Sequence, residues 1–334
     1  MHLGKSYRPF EFVVWTRRNI YGLLALSVLP ALLYQVLGFK WLSLPLSVVS
    51  LLGTAATFVV GFKNVQTYTR TVEAQKIWMN IVSTSRFWGL IVRNFVGDAE
   101  QGARLVDRHM AWLTALRYQL RAYRVWESAD SRSNAEYQKN YVIPERTESL
   151  DAALARYLPT DEIRSLALAD SKAVQLLAAQ GAALRELLGA GVITTSEYAE
   201  CNSRLRELLD LQGQAERIKN FPYPRQYAVV DRLFVRFFCV VLPFGLTSQF
   251  DQLNQSVGGF MQGHMVWLSV PFSLIVSWIY TSLEQVGEST ENPFEGGAND
   301  VPISQLSTFI ERDVKQMHGR ADLPVLIKDR DIVL

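Results

Sequence analysis

Thr54, Phe58 and Phe62 recur every four residues near the end of a long apolar run. In an α-helix this spacing places one hydroxyl and two phenyl rings on a single stripe, here called the aromatic stripe. Gly53 and Gly61 keep the neighbouring helix surface thin. If several copies of the helix surround an axis, the aromatic stripe forms stacked rings that are narrow and apolar enough to restrict water and ions. The same spacing is also typical of aromatic side chains that face lipid or pack in a core.

No group of residues in the sequence indicates catalysis. Gly189 and Gly191 lack the third glycine and the preceding strand of a dinucleotide-binding turn, so we interpret them as the end of a helix. The four histidines lie far apart in the sequence, and none has a partner at metal-ligand spacing: His2, His109, His264 and His318. We therefore predict that the chain is not an enzyme and that it holds no cofactor and no metal ion.

The aromatic stripe lies in one of several apolar runs that are long enough to cross a membrane. In this chain of 334 residues, the runs 20–39 and 41–62 contain no charged residue. Two further runs, 233–250 and 265–283, lie near the C-terminus, and the first of them contains a single charged residue, Arg236. Since about 20 residues of helix span the hydrocarbon core of a bilayer, the four runs predict four transmembrane helices in two hairpins.

The distribution of basic residues predicts the orientation of these helices. Basic residues flank the first hairpin at both of its ends: Lys5, Arg8, Arg17 and Arg18 before it, and Lys63, Arg70 and Lys76 after it. The segment 247–264, between the last two runs, contains no Lys or Arg. Because basic flanks stay in the cytoplasm, we expect both termini and the middle of the chain to be cytoplasmic.

The middle of the chain has the periodicity of helices, because apolar residues recur three or four positions apart, as in Val106, Met110 and Leu113. We therefore predict an all-α membrane protein. Its expected parts are a cytoplasmic N-terminus with the first two transmembrane helices, a helical cytoplasmic region, the last two transmembrane helices and a cytoplasmic C-terminal segment: 1–62, 63–230, 231–284 and 285–334. Small residues are expected to let the membrane helices approach closely: Gly22, Ala25, Ala55 and Gly245.

Several motifs resemble those of the bestrophin family. Residues 60–78 have the sequence VGFKNVQTYTRTVEAQKIW, which is similar to the bacterial signature in which Gly-Phe-Arg-Asn leads to Tyr, Arg, Glu-Ala-Arg-Lys and Trp. Further motifs resemble family segments in the same order: FPYP at 221–224, LPFGL at 242–246, NPF at 292–294, NDVP at 299–302 and IERD at 310–313. The resemblance extends over nearly the whole chain.

This resemblance implies a homopentameric ion channel with four membrane helices per subunit and a large helical vestibule in the cytoplasm. The expected location is the bacterial inner (plasma) membrane, and the expected partners are further copies of the chain, lipids and permeant monovalent ions. The net charge of +2 gives no reason to expect nucleic acid. Carried over residue by residue, the family's membrane neck lies at Thr54, Phe58 and Phe62. Thr54 departs from the usual branched aliphatic residue, and its hydroxyl is expected to wet the entrance and increase conduction.

Two further features of the family have counterparts in this chain. A second, cytoplasmic constriction is expected on the helix before the turn 191–193, where the sequence leaves Leu177, Gly181 and Leu184 as alternatives; glycine would leave a wide exit. Animal members bind calcium with an acidic run after Asn-Pro-Phe. Here that run keeps only Glu295 and Asp300, which are too few for an ion that takes six to eight oxygen ligands, so we predict no calcium activation.

The sequence leaves the sign of the conducted ion open between two alternatives. The resemblance favours chloride and other monovalent anions, while a cation-selective channel is the alternative, because phenyl rings attract anions at their edges and cations at their faces. Lys63 and Arg70 would concentrate anions if they faced the conduit, or would bind lipid headgroups.

Glu73 is expected to pair with Lys76 or Arg70. A secondary transporter and a membrane-anchored scaffold are rival functions.

Overall fold

The computed structural model describes residues 9–128, 131, 134, 138–139, 141–325 and 332–334, so His2, Lys5 and Arg8 lie outside the described residues. All elements in this part are helical, as the predicted all-α class requires. In order, the α-helices are α1 Pro9–Gln35, α2 Leu46–Phe95, α3 Ala99–Arg121, α4 Pro144–Thr147, α5 Leu150–Leu154, α6 Thr160–Ser165, α7 Lys172–Gly189, α8 Thr195–Asn220, α9 Arg225–Gln252, α10 Ser269–Ser289 and α11 Ile303–Met317. Short 3₁₀ turns occupy Lys40–Leu42, Leu253–Gln255, Gly259–Met261 and Met265–Leu268.

Helix α2 connects the apolar bundle to the remainder of the subunit. It contains 50 residues, which corresponds to about 75 Å at 1.5 Å per residue. Pro45 precedes its first turn, and no proline interrupts it before it ends at Phe95. The helix that carries the aromatic stripe therefore continues without a break beyond residue 62, so the expected boundary between the first two parts of the chain lies inside this helix.

Helices α9 and α10 pack against the first half of α2, and α1 packs against α9 and α10. Two apolar clusters lie between these helices: one contains Leu23, Val60, Val235 and Cys239, and the other contains Val49, Ala56, Phe238 and Leu242. The opposite faces of these helices expose large apolar side chains: Leu24, Leu29 and Leu32 on α1, Phe234 and Phe237 on α9, and Phe272, Ile275 and Ile279 on α10. Such a surface is suited to lipid rather than to water.

Two segments of the described residues are long and apolar enough to cross a membrane, Lys40–Phe95 and Met265–Ser289. The other two predicted spans do not meet this criterion by themselves. Helix α1 ends at Gln35, before Gly38 adopts a positive φ of 69°, so its uncharged part is shorter than the predicted run 20–39. Helix α9 carries the charged residues Asp231, Arg232 and Arg236.

Close packing of α2 against α9 depends on glycine. A side-chain carbon added at Gly245 would lie 2.7 Å from Val49 Cγ2, and one added at Gly53 would lie 2.8 Å from Phe238 Cε2. The predicted packing role of Gly245 is therefore confirmed. That of Gly22 is wrong within one subunit, because no side chain lies within 4 Å of the corresponding position.

The second half of α2 packs with α3, α7, α8 and α11 around a large apolar core that contains Trp78, Trp88 and Trp112. The indole Nε1 of Trp112 donates a hydrogen bond of 2.9 Å to Gln212 Oε1 on α8. His109 stacks between Trp88 and Trp112. Burial lowers the pKa of His109 to about 3, so this histidine is a neutral core residue.

Candidate functional site

The aromatic stripe lies on the surface of the subunit. The side chain of Phe58 is 75% exposed and that of Phe62 is 54% exposed, although both residues lie in an apolar helix. Thr54 is also exposed, and its hydroxyl donates a hydrogen bond of 2.9 Å to the carbonyl of Ser50. The hydroxyl oxygen of Thr54 can still accept a hydrogen bond from water. The structure thus places the three predicted residues together on one open helix face.

Neighbouring helices define the two borders of this open face. On one border Thr84 donates a hydrogen bond of 2.9 Å to Glu207 on α8. On the other, Arg86 forms an ion pair of 2.6 Å with Asp313 on α11. The back of α2 is buried in the core through Trp78. An unpartnered strip therefore runs along α2 between α8 and α11, below the aromatic stripe.

Two basic residues that were expected to attract ions or lipid headgroups, Lys63 and Arg70, instead contact other helices of the same subunit. Lys63 Nζ forms an ion pair of 3.2 Å with Asp231 on α9, and the Lys63 side chain is only 3% exposed. Arg70 is partly buried and donates a hydrogen bond to the carbonyl of Ile218 on α8. Both hypotheses for Lys63, the conduit and the lipid headgroups, are wrong, because the desolvated ammonium is neutralised by a carboxylate inside the subunit.

Glu73 also has a different partner from the expected ones. Its carboxylate pairs with Arg217 on α8, and neither Lys76 nor Arg70 forms an ion pair with it. The pair is about half exposed on both sides, at 57% and 45%. Glu73 thereby joins the border formed by α8 and leaves Lys76 on the open face of α2.

The three alternatives for the cytoplasmic constriction occupy different environments on α7. Leu177 is 7% exposed and Leu184 is completely buried, and both belong to the large apolar core. Gly181 is partly exposed, and a side-chain carbon added there would lie 3.9 Å from Leu205. The leucine side chains are therefore committed to the interior of the subunit, whereas Gly181 reaches its surface.

The turn after Asn292 contains a buried polar network. Glu295 accepts hydrogen bonds from the backbone N–H of Ser128 at 3.0 Å and from its hydroxyl at 2.9 Å. Asp300 accepts a hydrogen bond of 2.7 Å from the backbone N–H of Gly296. Its carboxylate also lies 3.6 Å from the guanidinium of Arg121. Both carboxylates are thus held by groups of the protein itself.

These two carboxyl groups are strongly perturbed. Burial raises the pKa of Glu295 to about 8, and the nearby charge of Asp300 contributes to the rise. Burial also raises the pKa of Asp300, to about 6, although Arg121 opposes that rise. No group of three or more His, Cys, Asp or Glu residues that could hold a metal ion is found among the described residues. The arrangement instead favours proton binding.

Sequence reasoning missed the partners that hold this turn in place. Arg121 lies at the end of α3 and donates a hydrogen bond of 3.0 Å to the carbonyl of Phe294. Asn134 donates to the carbonyl of Ser128 at 3.1 Å and accepts from Trp15 Nε1 at 3.2 Å. These residues lie far from the turn in sequence, and none belongs to a recognisable motif.

Comparisons with known proteins agree with the motifs. A family model described as Bacterial/Fungal Bestrophin protein matches residues 14–316. The chain is similar to the voltage-dependent anion channel-forming protein YneE of Escherichia coli strain K12, with 26% identity over 294 residues that cover 88% of this chain and 83% of that protein. It is also similar to the voltage-dependent anion channel-forming protein RSc3414 of Ralstonia nicotianae, with 26% identity over 277 residues that cover 82% and 78%. The crystal structure of a bacterial bestrophin homologue from Klebsiella pneumoniae has the same fold, with a TM-score of 0.74 and 23% identity over 91% of this chain and 98% of that chain.

Proposed function

The chain belongs to the bacterial and fungal bestrophin family, and from this premise we propose that it forms a homopentameric channel for chloride and other monovalent anions. The observation that carries the proposal is the exposure of Phe58 and Phe62 on a helix whose other sides are covered. Two phenyl rings on an open face are unfavourable in water and need an apolar environment. Five copies around an axis supply that environment, with the aromatic stripe as the neck of the pore.

We place the pore in the inner membrane with four transmembrane helices per subunit. Support comes from α1, which packs against α9 and α10, and from α9, which packs against α2 and α10; both expose apolar side chains on their outer surfaces. Both termini and the region 63–230 lie in the cytoplasm in this proposal, because basic residues flank the first hairpin. The cytoplasmic exit is wide at Gly181, since Leu177 and Leu184 are packed in the core. No cofactor and no calcium ion takes part.

Anion conduction is favoured over its alternative by the names of the relatives, which are called anion channel-forming proteins. Phenyl rings that turn their edges to the axis present partial positive charge and attract anions. A channel selective for monovalent cations is the second candidate, in which the faces of the same rings line the neck. A membrane-anchored scaffold would need no pore at all.

The test is the reversal potential of the purified protein in planar bilayers across a potassium chloride gradient. We expect a single class of channel whose reversal potential approaches the equilibrium potential of chloride. A value near that of potassium would favour the cation channel, and the absence of current from a folded pentamer would favour the scaffold. Flux that saturates at low ion concentration would indicate a transporter instead.

A further inference from the structure

The open face of α2 below the aromatic stripe carries one basic side chain that has no partner among the described residues. Lys76 is exposed, and the structure gives it neither an ion pair nor a hydrogen bond with any residue of the described ranges. Three other basic side chains of α2 are engaged: Lys63 with Asp231, Arg70 with the carbonyl of Ile218, and Arg86 with Asp313. Lys76 thus differs from them in presenting an uncompensated charge.

The register of α2 aligns this charge with the neck. Lys76 follows Phe58 by 18 residues, which is five turns of an α-helix at 3.6 residues per turn. The two side chains therefore lie on one line parallel to the helix axis, about 27 Å apart. Val65 and Thr69 lie between them on the same face, and both are exposed. The line from Phe58 to Lys76 is consequently free of covering elements within one subunit.

The charged groups of α2 at the borders of this face have partners on neighbouring helices. Glu73 pairs with Arg217 at the α8 border. Arg86 pairs with Asp313 at the α11 border. Because each of these pairs is neutral, neither of them offsets the ammonium of Lys76.

We propose that Lys76 forms a ring of positive charge on the wall of the cytoplasmic vestibule, where it concentrates permeant anions below the aromatic stripe. The inference rests on the proposed pentamer, in which the line from Phe58 to Lys76 faces the axis of the pore. Rings of lysine or arginine favour anions in a pore, and a charged vestibule raises the local concentration of the opposite ion. Lys76 is therefore a determinant of conductance in this proposal, while the aromatic stripe is the constriction.

Salt dependence separates this electrostatic role from a structural one. The Debye length is about 30 Å at 0.01 M and about 3 Å at 1 M, so the ring acts on ions only at low ionic strength. We expect Lys76→Gln to reduce the single-channel chloride conductance at least about twofold at 0.01 M and to leave it unchanged at 1 M. Lys76→Glu should reduce it further, and Lys76→Arg should retain the conductance of the parent protein.

Arg164→Gln provides the matched control, because Arg164 is a surface cation on α6, outside the open face of α2, and its side chain is 77% exposed. A Lys76→Gln conductance that falls equally at both salt concentrations, or at neither, would overturn the inference. If the parent protein conducts cations, Lys76→Glu should raise the low-salt conductance, which would support the ring while refuting anion selectivity. Absence of current from the parent protein would refute the channel and the ring together.

Discussion

Lys63 Nζ lies 3.2 Å from the carboxylate of Asp231, and the two side chains are 3% and 1% exposed. Lys63 directly follows Phe62 in α2, whereas Asp231 belongs to α9. Successive residues of a helix differ by about 100° in direction, so a lysine fixed toward α9 leaves Phe62 pointing away from it. The ion pair therefore holds the rotation of α2 at the level where the aromatic stripe ends.

We predict that removing one member of this pair destabilises the folded protein more than removing both members. Lys63→Met leaves an uncompensated buried carboxylate and should lower the free energy of unfolding by about 3–5 kcal/mol. The double variant Lys63→Met, Asp231→Leu removes both charges of the pair and should recover most of that loss. Thermal unfolding of the protein in detergent measures both. A double variant less stable than either single variant would contradict the assigned role.

A second prediction concerns the outermost residue of the aromatic stripe. Thr54→Ile removes a hydroxyl oxygen that accepts hydrogen bonds from water and adds an aliphatic group. We expect chloride flux to fall by about twofold, which corresponds to a barrier higher by about 0.4 kcal/mol. Flux from liposomes loaded with chloride provides the measurement, and Thr54→Ser, which keeps the hydroxyl, is the control. An undiminished flux in Thr54→Ile would show that wetting at this position does not limit conduction.

The aromatic stripe was predictable because the i, i+4 spacing and the unbroken helix are both local properties of the sequence. The partner of Lys63 was not, since Asp231 lies on another helix and reaches Lys63 only when α2 and α9 pack together. Periodicity also could not separate Gly181 from Leu184, because a core face and a pore-facing face are both apolar. The early end of α1 did have a signal in the sequence, namely Gly38. Glycine readily adopts the positive φ that terminates many helices, and Gly38 does so here.

The buried carboxyl groups after Asn292 predict a pH dependence of stability. The pKa of Glu295 is raised by burial from 4.5 to about 8 in the folded protein. Between these pH values the unfolded chain has already released the proton that the folded chain retains, so the free energy of unfolding falls as the pH rises. We expect the melting temperature of the parent protein to decrease between pH 5 and pH 8 more steeply than that of Glu295→Gln.

The groups that face Glu295 influence its pKa and must be considered when that experiment is interpreted. Asp300 and Glu127 favour the protonated form, the hydrogen bonds from Ser128 favour the carboxylate, and Lys219 is a nearby positive charge. Other titrating groups affect both proteins alike, so the difference between the two melting curves isolates Glu295 and its coupling to Asp300. The surface variant Glu186→Gln is the control and should follow the parent protein. Parallel curves for the parent and Glu295→Gln would contradict the prediction.

Calcium should leave the current unchanged. The carboxylate of Glu295 already accepts a hydrogen bond from Ser128. That of Asp300 accepts a hydrogen bond from the backbone N–H of Gly296 and lies beside the guanidinium of Arg121. A divalent ion would have to displace these contacts and to find further oxygen ligands near a positive charge. We expect equal chloride currents in a calcium chelator and at micromolar calcium. A current that rises from zero as calcium is added would show that the turn binds calcium despite its missing carboxylates.

The proposed neck can be tested by comparing alanine variants of two phenylalanines that are equally exposed. Phe62 on α2 and Phe272 on α10 are each 54% exposed, yet only Phe62 belongs to the aromatic stripe. If Phe62 narrows the pore, Phe62→Ala removes a ring from the constriction and lowers the barrier that an apolar neck presents to water and ions. If Phe272 faces lipid, Phe272→Ala removes a similar apolar area without touching the conduit.

We therefore predict that Phe62→Ala increases the single-channel conductance while Phe272→Ala leaves it at the value of the parent protein. Both variants lose a large exposed side chain, so a general effect of weaker membrane packing would appear in both. Single-channel recordings at one salt concentration are sufficient for the comparison. Equal conductance in Phe62→Ala and the parent protein would mean that Phe62 lies against acyl chains or a neighbouring subunit, and the aromatic stripe could then not be the neck of a pore.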